Sequence, residues 1–270
     1  MTELIDPPAT PLRKHPPVSE NPVLVDITGG VATITMNCER NRNALTAAMR
    51  SGLREAFSAA AAESDARAIL LTHTGTVFCA GMDLREAAGD PRAGLDDFAA
   101  LLDQVEHSPV PVVARLAGPA RAGGLGFVAA ADIAVAVDTA TFAFSEVRLG
   151  VVPAMISGAV LDRVTSRASR ELMLTGRTFN AAEAATIGLI NTAVPADTLD
   201  DVVRGYLDTL ILGEPHALAA TKSLVTRTHN QRPPTAELVS LSQTFFTSPE
   251  AKEGIRAFTE KRAPAWVLPA

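Results

Sequence analysis

Ala68-Ile69-Leu70-Leu71-Thr72, a mostly apolar run of strand length, opens onto the glycine-bearing loop Thr74 to Met82, which contains Phe78-Cys79-Ala80-Gly81-Met82. A helix is expected over Leu95 to Glu106, and then the order returns. An apolar strand over Val110 to Leu116 leads into the glycine-rich stretch Gly118 to Gly126, the alanine-rich Phe127 to Ala131 and a further strand over Asp132 to Val137. Strands that alternate with helical segments need crossover connections, so they indicate a parallel sheet and not a β-sandwich. Toward the N-terminus, Val23 to Ile27 and Val31 to Met36 are two strands joined at Thr28-Gly29-Gly30, where glycine supplies the positive φ of a tight hairpin. From Thr46 to about Ala62, Met49, Leu53, Phe57 and Ala61 recur every four positions, the mark of an amphipathic helix.

After Ser157 the pattern turns almost wholly helical, with segments near 157–163, 167–175, 196–211, 215–229 and 249–262. Asn180 with Glu183 three residues on makes a capping-box-like start for another helix. Pro7, Pro8, Pro11, Pro16, Pro17 and Pro22 deny backbone donors, so residues 1–22 read as a flexible tail. The expected organisation is that tail, one α/β core over 23–195 and a helical region over 196–270.

With 270 residues and 47% hydrophobic side chains the chain can bury a sizeable core. Lys and Arg number 24 and Asp and Glu 30, a net charge of 24 − 30 = −6, which offers no basic field to a nucleic-acid backbone. Two cysteines, Cys38 and Cys79, make no disulfide framework, and the N-terminal residues carry no apolar stretch flanked by basic ones. The apolar runs are too short to span a bilayer. A soluble chain in a reducing, cytoplasmic compartment is expected.

Two loops place small residues between a strand and a helix: Phe78-Cys79-Ala80-Gly81-Met82-Asp83 and Ala122-Gly123-Gly124-Leu125-Gly126. First-turn N–H groups of a helix have no intrahelical partner and can hold an anion or a developing oxyanion. Spacing alone leaves open whether the glycines serve that purpose or only let a helix pack closely on the sheet. Neither loop reads G-x-G-x-x-G or as a P-loop. His107, His216 and His229 are isolated and not spaced as metal ligands, so no metal is expected. Trp266 is expected to pack the C-terminus.

Arg42-Asn43-Ala44-Leu45, then Phe78 to Leu84, then Ala122-Gly123-Gly124 leading to Ala131-Asp132-Ile133, and Phe144-Ser145-Glu146-Val147-Arg148-Leu149-Gly150-Val151-Val152-Pro153 resemble successive signatures of the enoyl-CoA hydratase/isomerase (crotonase) superfamily. Leu174-Thr175-Gly176 before Ala181-Ala182-Glu183-Ala184, Gly188-Leu189-Ile190, and the ending Glu253 to Arg262 are similar to later blocks of the same family. The resemblance covers about residues 23–266. It implies an α/β crotonase-like spiral of ββα units with a C-terminal helical region that builds homotrimers, usually paired into hexamers.

The resemblance also implies roles. The thioester oxygen of an acyl-CoA lies between the N–H groups of Met82 and Gly123, and losing one such donor costs about 10²- to 10³-fold in rate. CoA contacts fall to Arg42 and Ala44 at the nucleotide end, to main chain around Ala80, Asp83 and Leu84, and to Phe258 and Lys261, which reach a neighbouring subunit's CoA. Lys261 has a second explanation as a solvated charge at a helix C-terminus. No separate cofactor is implied, coenzyme A being part of the substrate.

The best-known hydratases carry two glutamates; here the first position is Gly126 and only Glu146 remains. One carboxylate can still move protons if burial raises its pKa, and Phe142, Phe144, Val147 and Leu149 offer apolar surroundings. A glutamate near an arginine such as Arg148 is otherwise a solvated surface pair. Three outcomes fit, in this order: hydration by Glu146 alone, as in the hydratase subgroup acting on branched, glutaconyl-type CoA esters; Δ3-Δ2 isomerisation with one glutamate; or another acyl-CoA reaction of the family, such as hydrolysis or decarboxylation. A non-catalytic acyl-CoA-binding scaffold is the alternative of a different class. Pocket walls are expected from Leu95 to Leu102 and Met155 to Leu161, where core packing explains the apolar spacing equally well.

Overall fold

The hairpin forms as β1 (Val23–Thr28) and β2 (Val31–Met36), paired antiparallel with Thr28 opposite Val31. Gly29 and Gly30 take φ values of 59° and 82°, the left-handed turn whose twist matches the flanking strands. The computed structural model describes residues 21–83, 85–86, 92–227 and 233–267; the tail through residue 20, Leu84 and His229 lie outside the described residues.

From β2 the chain crosses through α1 (Ala47–Ala62) to β3 (Ala68–His73), through α2 (Arg92–Glu106) to β4 (Val112–Leu116), and through β5 (Ala120–Arg121) and α3 (Gly123–Ala130) to β6 (Ile133–Val137). β7 (Thr141–Ala143), α4 (Ala154–Arg163), α5 (Ser166–Thr175), β8 (Phe179–Asn180), α6 (Ala181–Thr186) and β9 (Thr192–Val194) follow. The larger sheet has the order β1-β2-β3-β4-β6-β9 with every pairing after the hairpin parallel, and β5-β7-β8 make a smaller sheet. The chain ends in α7 (Leu199–Leu210), α8 (Pro215–Arg227), α9 (Thr235–Phe246) and α10 (Pro249–Glu260). This α/β arrangement with C-terminal helices is the one the resemblance implies.

Local chemistry explains the element ends. Thr46 Oγ1 accepts the Met49 N–H at 3.2 Å and starts α1, and Asn180 Oδ1 accepts the Glu183 N–H at 2.9 Å and starts α6. The buried face of α1 runs Met49, Leu53, Ala56, Phe57 and Ala60; the expected Ala61 is exposed, because a spacing of four drifts off the 3.6-residue turn. All eight residues of α3 are buried, as a helix apolar on every side must be. Phe127 on α3 meets Phe98 on α2 edge-on, with ring centroids 5.9 Å apart.

The region after Ser157 is not wholly helical. β8 and β9 interrupt it, and at two and three residues they are too short to show a strand period. α9 carries no residue buried by the rest of the described chain, and it was not among the expected helical segments, although Leu238, Leu241 and Phe245 have helical spacing. Lys222 of α8 is buried: its Nζ donates to Asp132 Oδ2 at 2.7 Å and to Val105 O at 3.2 Å, tying the helix to the sheet layer. Trp266 packs the C-terminus as expected, its Nε1 donating to Leu212 O at 3.1 Å.

Candidate active site

The first loop runs back along two neighbours. Arg121 N–H donates to Cys79 O at 3.0 Å, Ala80 N–H to Arg42 O at 3.0 Å, and Leu45 N–H to Gly81 O at 2.8 Å. In a trans peptide the C=O and the following N–H point opposite ways. Fixing Gly81 O toward Leu45 therefore turns the Met82 N–H to the other side of that peptide plane. Gly81 has φ 89°, and a Cβ there would stand 3.0 Å from Arg121 O and 3.2 Å from Gly123 N, so the first loop lies directly against the second.

In the second loop Ala122 holds φ 47° and ψ −121°, a conformation that costs a non-glycine residue about 1–3 kcal/mol. Ala122 N–H donates to Ala143 O at 3.0 Å, and Ala122 O accepts the Leu125 N–H at 2.9 Å, which aims the Gly123 N–H out of the helix start. Among the described residues neither the Met82 nor the Gly123 N–H has an acceptor. Beneath them, Cys79 is fully buried and its thiol is pushed up to about 12 by desolvation, which makes it an inert spacer. A Cβ at Gly124 would lie 2.8 Å from both Cys79 Cβ and Cys79 O.

Glu146 follows β7 in the chain. Ala143 lies opposite Arg121 in the β5–β7 pair, and the next residues lead into a 3₁₀ turn over Glu146–Leu149, closed by Gly150 at φ 74°. Glu146 Oε2 is buried without a hydrogen-bond partner, and desolvation holds its carboxyl above the usual glutamate range. Arg148 is not its partner. Arg148 Nε donates to Gly176 O at 2.9 Å and Thr175 O at 3.2 Å, capping the end of α5. The surface-pair alternative for Glu146 is thereby corrected.

Gly126 sits buried on α3, and the space beside it is taken. A Cβ there would meet Ile156 Cγ2 at 2.8 Å and Leu102 Cδ1 and Cδ2 at 3.0 Å. Leu102 and Ile156, from the two segments expected to line a pocket, meet here as buried packing, while Leu95, Met155 and Leu161 are exposed.

The other residues named from the sequence divide. Ala44 is buried beside the first loop, Arg42 is exposed and contributes its backbone carbonyl, and Ala80 lies in that loop. Asp83 is buried and paired with Arg85 at 2.8 Å, which holds its carboxyl below the usual range. Phe258 and Lys261 sit at the end of α10, both exposed in the single chain, and no described hydrogen bond or ion pair links them to the two loops. Two residues were missed. Arg50 is buried, donating to Leu45 O at 2.7 Å and pairing with Asp97 at 3.0 Å. Asn43, quoted only within its motif, is fully buried and joined to three backbone groups. Its signal was an asparagine in a turn-rich stretch, the residue besides glycine that best tolerates φ above zero.

The larger described cleft, about 670 Å³ between α7 and strands β1 to β4, contains none of these groups. Its Arg115 is already paired with Asp200 at 2.6 Å. Chemistry is set by unpaired, aimed polar groups rather than by open volume, so the loops at 82 and 123 with Glu146 are the stronger site.

The family model described as "Enoyl-CoA hydratase/isomerase" matches residues 26–268. A probable enoyl-CoA hydratase of Mycobacterium tuberculosis is 33% identical over 247 residues, covering 90% of this chain and 96% of its own length. A putative enoyl-CoA hydratase of Thermus thermophilus is 31% identical over 245 residues, covering 87% and 97%. Among solved structures, an enoyl-CoA hydratase of Mycobacterium smegmatis superposes with a TM-score of 0.86 at 32% identity, covering 92% of this chain and 99% of that one. The ordered motifs, the fold and these matches agree, and the chain belongs to the enoyl-CoA hydratase/isomerase (crotonase) superfamily.

Proposed function

We propose that the chain is an enoyl-CoA hydratase, a lyase that adds water across the 2,3 double bond of an enoyl-CoA thioester. The observation that carries the reading is the buried, unpaired Oε2 of Glu146, three residues past β7, whose Ala143 pairs with Arg121 just before the second loop. The Glu146 carboxylate takes a proton from water as the water oxygen bonds to C3. The C2–C3 π pair moves toward C1, and the charge reaching the thioester oxygen is held by the Met82 and Gly123 N–H groups. As the enolate collapses, C2 takes the proton from Glu146. Burial suits both halves of this exchange, since a raised pKa brings base and acid forms near the working pH.

The apolar packing beside Gly126 favours a second reading. With Ile156 and Leu102 filling that space a single acid–base group is left, which is what a Δ3-Δ2 isomerase uses to move a proton from C2 to C4. Within the family the single-glutamate subgroup acting on branched, glutaconyl-type CoA esters fits best. Arg42, Ala44, Ala80, Asp83 and Leu84 are assigned to the CoA nucleotide end. Phe258 and Lys261 are assigned to a neighbouring subunit's CoA. Phe246 and Phe258, 74% and 86% exposed, support assembly of region 196–270 into a homotrimer or a hexamer. Two buried free thiols fit a cytoplasmic location.

The test is Glu146→Gln, followed by the absorbance of the conjugated enoyl thioester, which falls as a 2-enoyl ester is hydrated and rises as a 3-enoyl ester is isomerised, with esters of straight, branched and glutaconyl type run side by side. A loss of about 10²- to 10⁴-fold is expected. Unchanged turnover defeats the assignment. Turnover of the 3-enoyl esters alone establishes the isomerase, and affinity without turnover on the whole panel establishes the scaffold.

A further inference from the structure

Asn43 has φ 53° and follows Arg42 at φ 59°, two consecutive non-glycine residues in the left-handed region. Its side chain is fully buried and uses both ends. Oδ1 accepts the Cys38 N–H at 2.8 Å, and Nδ2 donates to Thr74 O at 3.0 Å and Val77 O at 2.8 Å. It thus clamps its own turn to the start of the segment that continues into Phe78 to Met82. The residues on either side of it hold that segment's far end: Arg42 O accepts the Ala80 N–H, and Leu45 N–H donates to Gly81 O.

We infer that Asn43 is a positioning residue for the thioester-binding site, setting the direction of the Met82 N–H through Leu45 and Gly81. This rests on the proposal that the Met82 N–H is an oxyanion donor. The orientation of that N–H is fixed by what Gly81 O binds, because the two share one rigid peptide plane. Gly81 O binds Leu45 N–H, and Leu45 is held two residues from a side chain anchored at three points. Without the amide of Asn43, the 42–45 turn keeps its ends but loses its register against residues 74–77. The peptide plane at 81–82 is then free to rotate. Arg42 and Ala44, assigned to the CoA nucleotide end, flank Asn43, so affinity loosens as well, but the loss of N–H direction falls on transition-state stabilisation and exceeds it.

Asn43→Gly is the informative variant, since glycine keeps the left-handed backbone at no strain while deleting all three bonds. Asn43→Asp keeps shape and the acceptor for Cys38 N–H while losing both donated bonds. Two readouts apply to the full-length protein: kcat and KM with an enoyl-CoA, and the absorbance band of bound 3-phenylpropenoyl-CoA, which moves to longer wavelength when its carbonyl is polarised. For both variants kcat is expected to fall about 10- to 10²-fold, with a smaller rise in KM, and the bound band to lie short of the wild-type position. A purely stabilising role would lower the melting temperature and leave the band of the folded, bound molecules where the wild type has it. Wild-type kcat and band in a folded variant overturn the inference while leaving the proposed function standing. Absence of any band shift in the wild type overturns the oxyanion assignment itself. Failure of both variants to fold also overturns the inference, because Asn43 then serves the fold as a whole.

Discussion

Replacing Gly126 with alanine adds one methyl group at the place where the best-known hydratases carry a second carboxylate. The new Cβ would lie 2.8 Å from Ile156 Cγ2 and 3.0 Å from both Leu102 methyls, against a comfortable carbon separation of about 3.5–4.0 Å. Ile156 and Leu102 are 1% and 5% exposed, so neither can swing into solvent. Overpacking of this kind costs about 1–3 kcal/mol, and the better helix propensity of alanine returns about 1 kcal/mol. A net loss of about 1 kcal/mol is expected. In an Ile156→Ala background the closest contact is gone and Leu102 has room to shift, so the same substitution is expected to gain about 1 kcal/mol. The assay is guanidinium unfolding of the four proteins at one protein concentration. A coupling of about 2 kcal/mol is expected between the two sites; additivity within about 0.5 kcal/mol would refute the claim that apolar side chains occupy this space. If the claim stands, Gly126→Glu brings a carboxylate into an apolar wall and gives a less stable protein without a second working acid.

Three further outcomes are open to measurement. Glu146→Gln is expected to raise the melting temperature near about pH 8 but not near about pH 4. The folded wild type holds this proton more tightly than the unfolded chain, so its stability is complete below the ordinary glutamate range and declines as pH rises through the raised folded value. An equal difference at both pH values would contradict the buried, unpaired carboxyl. Cys79, with its thiol near 12, is expected to resist iodoacetamide in the native protein at about pH 8 and to react in guanidinium, as read by peptide mass spectrometry. Modification of native Cys79 at the denatured rate would sink that view. Lys222→Met leaves Asp132 Oδ2 the Val112 N–H but no cation, leaves Val105 O without its Nζ donor, and is expected to cost about 2 kcal/mol; a loss below about 0.5 kcal/mol would show that α8 is held by other contacts.

The acyl-binding reading joins local rules to distant contacts. The two glycine loops create donors because helix starts leave N–H groups unpaired, but the direction of each donor is set by partners elsewhere: Leu45 for Gly81 O, and Ala143 for the strained Ala122. The same division governs Glu146. Its place in a motif was visible in the sequence, while its pKa depends on what surrounds it.

Much of the architecture was therefore legible beforehand. The hairpin at Gly29-Gly30, the cap at Asn180, the start of α1 near Thr46, its amphipathic face and the alternation of strand and helix all arise from interactions within a few residues, which turn chemistry and periodicity report directly. β5, β7, β8 and β9 were not legible, because two or three residues cannot display a period and their pairing partners lie far along the chain. Nor were the decisive features of the site. That Arg148 caps α5 and leaves Glu146 unpaired, that Ile156 and Leu102 close the space at Gly126, and that Asn43 clasps carbonyls more than thirty residues away are facts of tertiary packing. Local sequence decides which conformations a segment prefers; only the folded chain decides which polar atoms are left dry and unpaired, as it does for the Glu146 carboxyl.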